Sequence, residues 1–251
     1  LYLEVETAAN PGGEVRGQLM LAGAQLFVTD ASPAEELPPV ASSHHAHASF
    51  ILSPDQGTLL YHVVTVAPAT DVRLQRAIGG LVGPVSDDLS PIAPTMDGSL
   101  QIAAADPADL ASGHLYLNIV TAQNLAGELR GQLIKPGESL LAGVLSGAAE
   151  SPPTSSTASG GAQAILSADR SSLRYEVVVS GTIPTSAELD GAVPGKNGPV
   201  IVPLTLAPQG ALGMTPIGSS DAALLLKGDA YVNIKTASYV GGELRASLAL
   251  E

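Results

Sequence analysis

Residues Leu115–Leu133 read LYLNIVTAQNLAGELRGQL, and closely similar text stands twice more in the chain: LYLEVETAANPGGEVRGQL at Leu1–Leu19 and AYVNIKTASYVGGELRASL at Ala230–Leu248. Each copy opens with a run rich in β-branched and aromatic residues, passes through a six-residue loop, and closes with an alternating run. That order reads as strand, turn, strand. The loops are Ala8–Gly13, Ala122–Gly127 and Ala237–Gly242, and their constant length holds a hairpin register that a one-residue slip would invert. Gly13, Gly127 and Gly242 each stand where the chain re-enters the ladder, a place where a positive φ is easy for glycine.

Tyr2, Tyr116 and Tyr231 are spaced by 114 and 115 residues, and Glu14, Glu128 and Glu243 keep the same two intervals. Outward from the hairpins the same period continues more faintly. Leu52–Val66 aligns with Leu166–Ser180 through Tyr61 and Tyr175, and Gly83-Pro84-Val85 aligns with Gly198-Pro199-Val200. A unit of about 115 residues is a common single-domain size, large enough to bury its own core. The sequence therefore predicts a spare hairpin over residues 1–20, one domain over 21–135 and a second over 136–251. Pro136 and Gly137 mark the join, and a linker as short as Ile134–Ser139 predicts two bodies stacked end to end with little mutual freedom. Ser151–Gly161, rich in Ser, Thr and Pro, reads as a long exposed loop within the second unit. The chain opens at Leu1 inside an alternating run, which reads as a processed or cropped piece.

Composition fits an all-β protein. There are 27 Gly and 19 Pro, and only 14% of residues are charged. Eleven Lys and Arg against 24 Asp and Glu give a net charge of −13, which excludes the basic surface that nucleic acid or an anionic bilayer needs. The longest near-apolar stretch, Leu140–Ala149, is far too short to span a membrane. Cysteine is absent, and with it disulfides, thiolate zinc sites and thiol nucleophiles.

Alternation places Glu14, Arg16 and Gln18 on one face of the closing strand, opposite Val15, Gly17 and Leu19. A polar face of this kind is expected to meet water. Glu-x-Arg recurs as Glu14/Arg16, Glu128/Arg130 and Glu243/Arg245, using three of only eleven basic residues, and so points to a structural motif: an ion pair or an anchor for backbone. Gly17 and Gly131 suggest close backbone approach or a bulge, although Ala246 stands there in the third copy.

The pattern Tyr-x-Asn-x-x-Thr, six residues, then Gly-Glu-hydrophobic-Arg-Gly-Gln-Leu resembles the end of the chordin-type (CHRD) domain. Ala187-Glu188-Leu189-Asp190-Gly191 followed by Asn197-Gly198-Pro199-Val200-Ile201-Val202 is similar to that family's Ala-His-Ile-His-Gly and Asn-Gly-Pro-Val stretches. The resemblance covers nearly the whole chain. It implies two tandem immunoglobulin-like or superoxide-dismutase-like β-sandwiches, and secretion or surface display. The two histidines of many members are matched by Glu188 and Asp190 in the second unit and by Leu74 and Arg76 in the first. A further histidine gives way to Glu6, Val120 and Lys235, so the family's histidine-based metal potential does not carry over.

Three of the five histidines crowd together as His44, His45 and His47. Imidazoles bind Zn and Cu, and His62 or His114 could supply a third ligand, which defines a metal-dependent enzyme as one alternative. A solvated strand entry is the plainer reading, because the matching stretch near Ala158–Gly161 has no His. No Gly-x-Ser-x-Gly elbow occurs, and the adjacent acids Glu35-Glu36 and Asp87-Asp88 point to opposite faces of an extended chain. The expectation is thus an extracellular, non-enzymatic structural or assembly module without cofactor or metal, associating with itself. The spare hairpin offers a head-to-tail route by strand addition. The alternative is a module that captures a secreted protein ligand, and neither reading involves nucleic acid or membrane insertion.

Overall fold

The computed structural model describes residues 2–5, 7–11, 14–18 and 20–251, with 2–5 and 15–18 as backbone alone. At the front, β1 (Tyr2–Val5) pairs antiparallel with β2 (Val15–Gln18), with Tyr2 opposite Gln18, and the two form a sheet of their own.

The first sandwich follows. One sheet holds β3 (Gln25–Ala31), β4 (Ala46–Leu52), β5 (Thr58–Thr65) and β8 (Thr95–Gln101) in that spatial order. The other holds β6 (Ala69–Arg76), β7 (Val85–Asp88), β9 (Leu115–Thr121) and β10 (Leu129–Gln132), ordered β10-β9-β6-β7. A short helix, α1 (Asp106–Ser112), leads into β9 and ends at Gly113 in the left-handed region. Alternation places Phe27, Phe50, Leu59, Tyr61, Val72, Leu74, Leu117 and Leu129 between the sheets as one core.

The second sandwich repeats this plan. β11 (Ser139–Ser146), β12 (Ser159–Leu166), β13 (Ser172–Ser180) and β17 (Gly210–Pro216) form one sheet, with the short β16 (Leu206–Ala207) beside β17. β14 (Ser186–Gly191), β15 (Val200–Leu204), β18 (Ala230–Lys235) and β19 (Leu244–Ser247) form the other, α2 (Ser219–Leu226) precedes β18, and the two-residue β20 (Ala249–Leu250) adds to β11. Its core gathers Leu141, Leu166, Tyr175, Val177, Leu189, Val232 and Leu244. In both bodies one edge is stitched shut: Ser146 pairs with Arg245, and Ser32 bridges Arg130 at the equivalent place. Tyr116 faces Gln132 and Tyr231 faces Ser247, so the three hairpins share one register.

The sandwiches do not stack end to end, as the short linker suggests. The loop 77–83 and the end of α1 in the first body rest on the outer face of β11, β12 and β13 in the second. Small residues there explain the arrangement: a Cβ at Gly161 would strike the Leu81 side chain, and a Cβ at Gly79 would strike Ala142. A face paved with Ala142, Gly143 and Gly161 admits an incoming loop edge-on.

Candidate functional site

The chemistry-bearing residues of each hairpin converge on a buried polar spine along β10 and β19. Glu128 Oε1 accepts from Ser42 Oγ at 2.6 Å and pairs with His44 Nδ1, while Oε2 accepts from Thr121 Oγ1 and, at 3.1 Å, from Asn124 Nδ2. Glu243 repeats this with Ser156 Oγ at 2.6 Å, Thr236 Oγ1, and Thr182 Oγ1 at 3.1 Å. Burial pushes the Glu128 carboxyl up, but the donors from Ser42, Thr121, His44 and Asn124 outweigh it and hold the group at about 2. Glu243 is lowered in the same way by Ser156, Thr236 and Thr182. In the front hairpin Glu14 is exposed, and hydrogen bonds from Thr7 and Asn10 lower its carboxyl. The Arg16 side chain lies outside the described residues.

Arg130 and Arg245 are 1% and 0% exposed. Arg130 stacks over the Tyr116 ring at 3.9 Å and Arg245 over the Tyr231 ring at 3.3 Å. Arg130 Nη2 also reaches the Ile78 carbonyl and Gln132 Oε1, both at 3.4 Å. Arg245 donates to Asn197 Oδ1 at 3.0 Å and to the Lys196 carbonyl. Among the described residues no ion pair joins Glu128 to Arg130 or Glu243 to Arg245.

The expectation that this polar face meets water is therefore corrected: Glu128, Arg130 and Gln132 are all buried. The chain before β4 covers the glutamate and the loop 77–83 covers the arginine, each from tens of residues away in sequence. Ser151–Gly161 is likewise no free loop, because Thr154 Oγ1 donates to the Glu243 carbonyl at 2.9 Å and Ser156 holds its side chain. Gly131 marks a close approach, since a Cβ there would overlap Thr29 and Ala31 of β3. Signals for several of these partners were in the text. Ser42 and Ser156 are 114 residues apart, as are Glu36 and Glu150, and a search for repeat-matched polar residues finds them.

Strand register also corrects the match made for the first unit. Asp190 faces Tyr231 and Glu188 faces Asn233, whereas Gln75 faces Tyr116 and Arg73 faces Asn118. The counterparts of Glu188 and Asp190 are Arg73 and Gln75, one residue before Leu74 and Arg76. In the second unit Lys235 Nζ binds Glu188 Oε2 at 2.6 Å, and in the first Arg73 pairs with Asp71.

A family model for the CHRD domain matches residues 27–133 and, a second time, residues 141–248. This chain belongs to the CHRD-domain family. No curated protein and no solved structure is significantly similar to it. CHRD domains occur in extracellular proteins, and among the described residues no helix is long and apolar enough to cross a membrane.

The two CHRD domains meet through specific polar contacts. Gln163 Oε1 accepts from Gly79 N at 2.9 Å, and its amide donates to the Ser112 carbonyl at 3.0 Å. His114 Nε2 bonds Glu176 Oε2 at 2.8 Å, and that bond leads the causes that raise the imidazole's pKa, with burial opposing it. Leu140, Ala142 and Ile165 form a small apolar cluster against Ile134.

The histidine cluster is divided by the fold. His44 turns inward to Glu128, while His45 and His47 stay exposed with ring centroids 6.0 Å apart. His47 pairs with Asp30, and His62 bonds Asp97 at 2.7 Å on the same outer face. Among the described residues no three His, Cys, Asp or Glu side chains converge as a metal-holding group.

Proposed function

We propose that this chain is a non-enzymatic, extracellular structural module whose CHRD domains build head-to-tail assemblies of the chain with itself. The supporting observation is the asymmetry of the contact between its own two domains. There the end of the first domain sits on the outer sheet face of the second, and each side of that contact has an uncovered counterpart. The outer face of β3, β4 and β5 presents Leu60, 48% exposed, and on the same face a cavity of about 280 Å³ lined by Val28, Asp30, His47, Ser49, His62 and Val64. The end of the second domain presents Val193, 51% exposed, where the first has Ile78 at 4%.

Charge supports the match. His114 and Glu176 pair inside the chain; their counterparts at the two free surfaces are Asp229 and His62, the same pair with the signs exchanged. A contact between unlike surfaces propagates from copy to copy, into a ring if its rotation closes and into a row if it does not. The hairpin β1–β2 offers a further route, because among the described residues its strands pair only with each other and leave ladder edges for strand addition.

Light scattering across a concentration series tests the reading. The expected outcome is a mass that grows with concentration and falls to that of one chain in Leu60→Asp and in Val193→Asp. Removal of residues 1–20 separates the two routes: growth that survives assigns assembly to the faces. A single-chain mass at every concentration reached sinks self-assembly altogether.

A further inference from the structure

At equivalent places in the two domains, three buried side-chain oxygens lack any hydrogen-bond donor. They are Glu36 Oε1, Gln75 Oε1 and Asn118 Oδ1 in the first domain, and Glu150 Oε1, Asp190 Oδ1 and Asn233 Oδ1 in the second. The intervals are 114, 115 and 115 residues, so the triads are copies of one arrangement. All six side chains are more than nine-tenths buried. A bare buried acceptor costs about 1–3 kcal/mol, and a fold that leaves three of them at matching places in each domain invites something that satisfies them.

The amides are fixed in their orientation. Asn118 Nδ2 donates to the Ala126 carbonyl at 3.2 Å, Gln75 Nε2 to the Gly83 carbonyl at 3.3 Å, and Asn233 Nδ2 to the Gly241 carbonyl at 3.4 Å. Turning any of them would set oxygen against oxygen. The second carboxyl oxygen of Glu150 already accepts from Ser151 N at 3.3 Å. A Cβ at Gly242 would lie 2.6 Å from both Glu150 Oε1 and Asn233 Oδ1, and one at Gly127 would overlap Glu36 and Asn118. The recurring loop glycine thus leaves open the spot between two of the three oxygens in each domain.

What fills that spot depends on charge. In the first domain the triad carries one carboxylate, the neighbour on β6 is Arg73, and the Arg130 guanidinium acts on Glu36. A water molecule, with two hydrogens to give, suits it. In the second domain Asp190 replaces Gln75 and brings a second carboxylate. Lys235, bound to Glu188, and Arg245, bound to Asn197, the Lys196 carbonyl and the Tyr231 ring, both act on Glu150 as Arg130 does on Glu36, and Lys235 acts on Asp190 as well. The triad lines a cavity of about 230 Å³ that also includes Glu188, Asn197, Tyr231 and Lys235, the lysine being tied to Glu188. Two carboxylates and an amide oxygen, with room for water and no nitrogen or sulfur donor among the three, form a donor set for a hard cation.

From this geometry we infer that Glu150, Asp190 and Asn233 of the second CHRD domain bind a calcium ion whose remaining ligands are water, while the matching triad of the first domain holds water alone. The inference stands apart from self-assembly and survives its failure.

The test is calorimetric titration of the full chain, freed of metal with chelator, against calcium chloride alone. One equivalent per chain is expected, with a Kd on the order of 10⁻⁴ to 10⁻³ M, the range of extracellular calcium modules. Asp190→Gln gives the second domain the amide of the first, and Asp190→Asn does so with less change of volume; each is expected to weaken binding at least about tenfold. Thermal unfolding in chelator reports whether both variants remain folded. No heat and no rise in Tm up to about 10 mM calcium, two equivalents per chain, or undiminished binding in folded variants would each overturn the assignment.

Discussion

Strands β4 and β12 are the same element in two copies. Along Ala46–Leu52 burial alternates, with one face in the core and His47 in water. Along Ser159–Leu166 every residue after the first is buried, on both faces. The loops show the mirror image: residues 78–80 are buried and 193–195 exposed. Both differences have one cause, the contact in which the first domain's loop covers the second domain's sheet. The composition of the strands follows suit, since Gly161 stands at the covered position where the bare face carries His47. What each copy shows on its outside records its neighbour, whereas its inside is common to both.

Exchange of those two residues breaks the comparison most sharply. Gly161→His is expected to cost about 3 kcal/mol, because the side chain would occupy the space of Leu81. His47→Gly, on the uncovered face, is expected to cost under about 1 kcal/mol. Urea unfolding of both variants measures the contrast, and equal costs would mean that the Leu81 contact does not hold in solution.

The shared inside predicts equal effects. Glu128→Gln and Glu243→Gln should each cost about 2–3 kcal/mol, since each leaves a buried network short of its charged acceptor. The same carboxylate sets an acid limb. With Glu128 held at about 2 against an ordinary value of 4.5, its contribution is complete above 4.5 and is lost as the pH falls towards 2. Burial raises Glu36 from an ordinary 4.5 to about 7, so its desolvation cost grows as the pH climbs from about 4.5 and is complete above about 7. Stability by chemical denaturation is therefore expected to be greatest near pH 4.5, falling below it through Glu128 and above it, up to about 7, through Glu36. A profile still flat down to pH 2 would remove Glu128 from the account.

The smallest effect belongs to the junction. His114 is raised above its ordinary 6.5 chiefly by Glu176, so its bond across the domains is complete below that value and is lost as the pH rises through the folded pKa. Hydrogen exchange at Gly79 and Leu81 is expected to quicken over that range, and His114→Gln should flatten the change. Exchange indifferent to pH beyond its intrinsic dependence would show that this pair contributes nothing to closure.

The text of the chain was enough to reveal the repeat of about 115 residues, the hairpin and its register, and the all-β class. These features rest on alternation and loop length, which act between near neighbours and leave a periodic trace. It was not enough to tell that Glu128, Arg130 and Glu243 are dry. Alternation separates the two faces of a strand but does not say which is covered, and the covers come from Ser42, His44 and Ile78, tens of residues away. Nor did it reveal the Tyr–Arg stacks or the unpartnered oxygens of Glu150, Asp190 and Asn233, which strands β14, β18 and the turn after β11 bring together. Local sequence determined the hairpins because their pairing is local, while only the closed sandwich and its neighbour decided which polar groups lost their water, because desolvation depends on every atom that approaches, whatever its place in the chain.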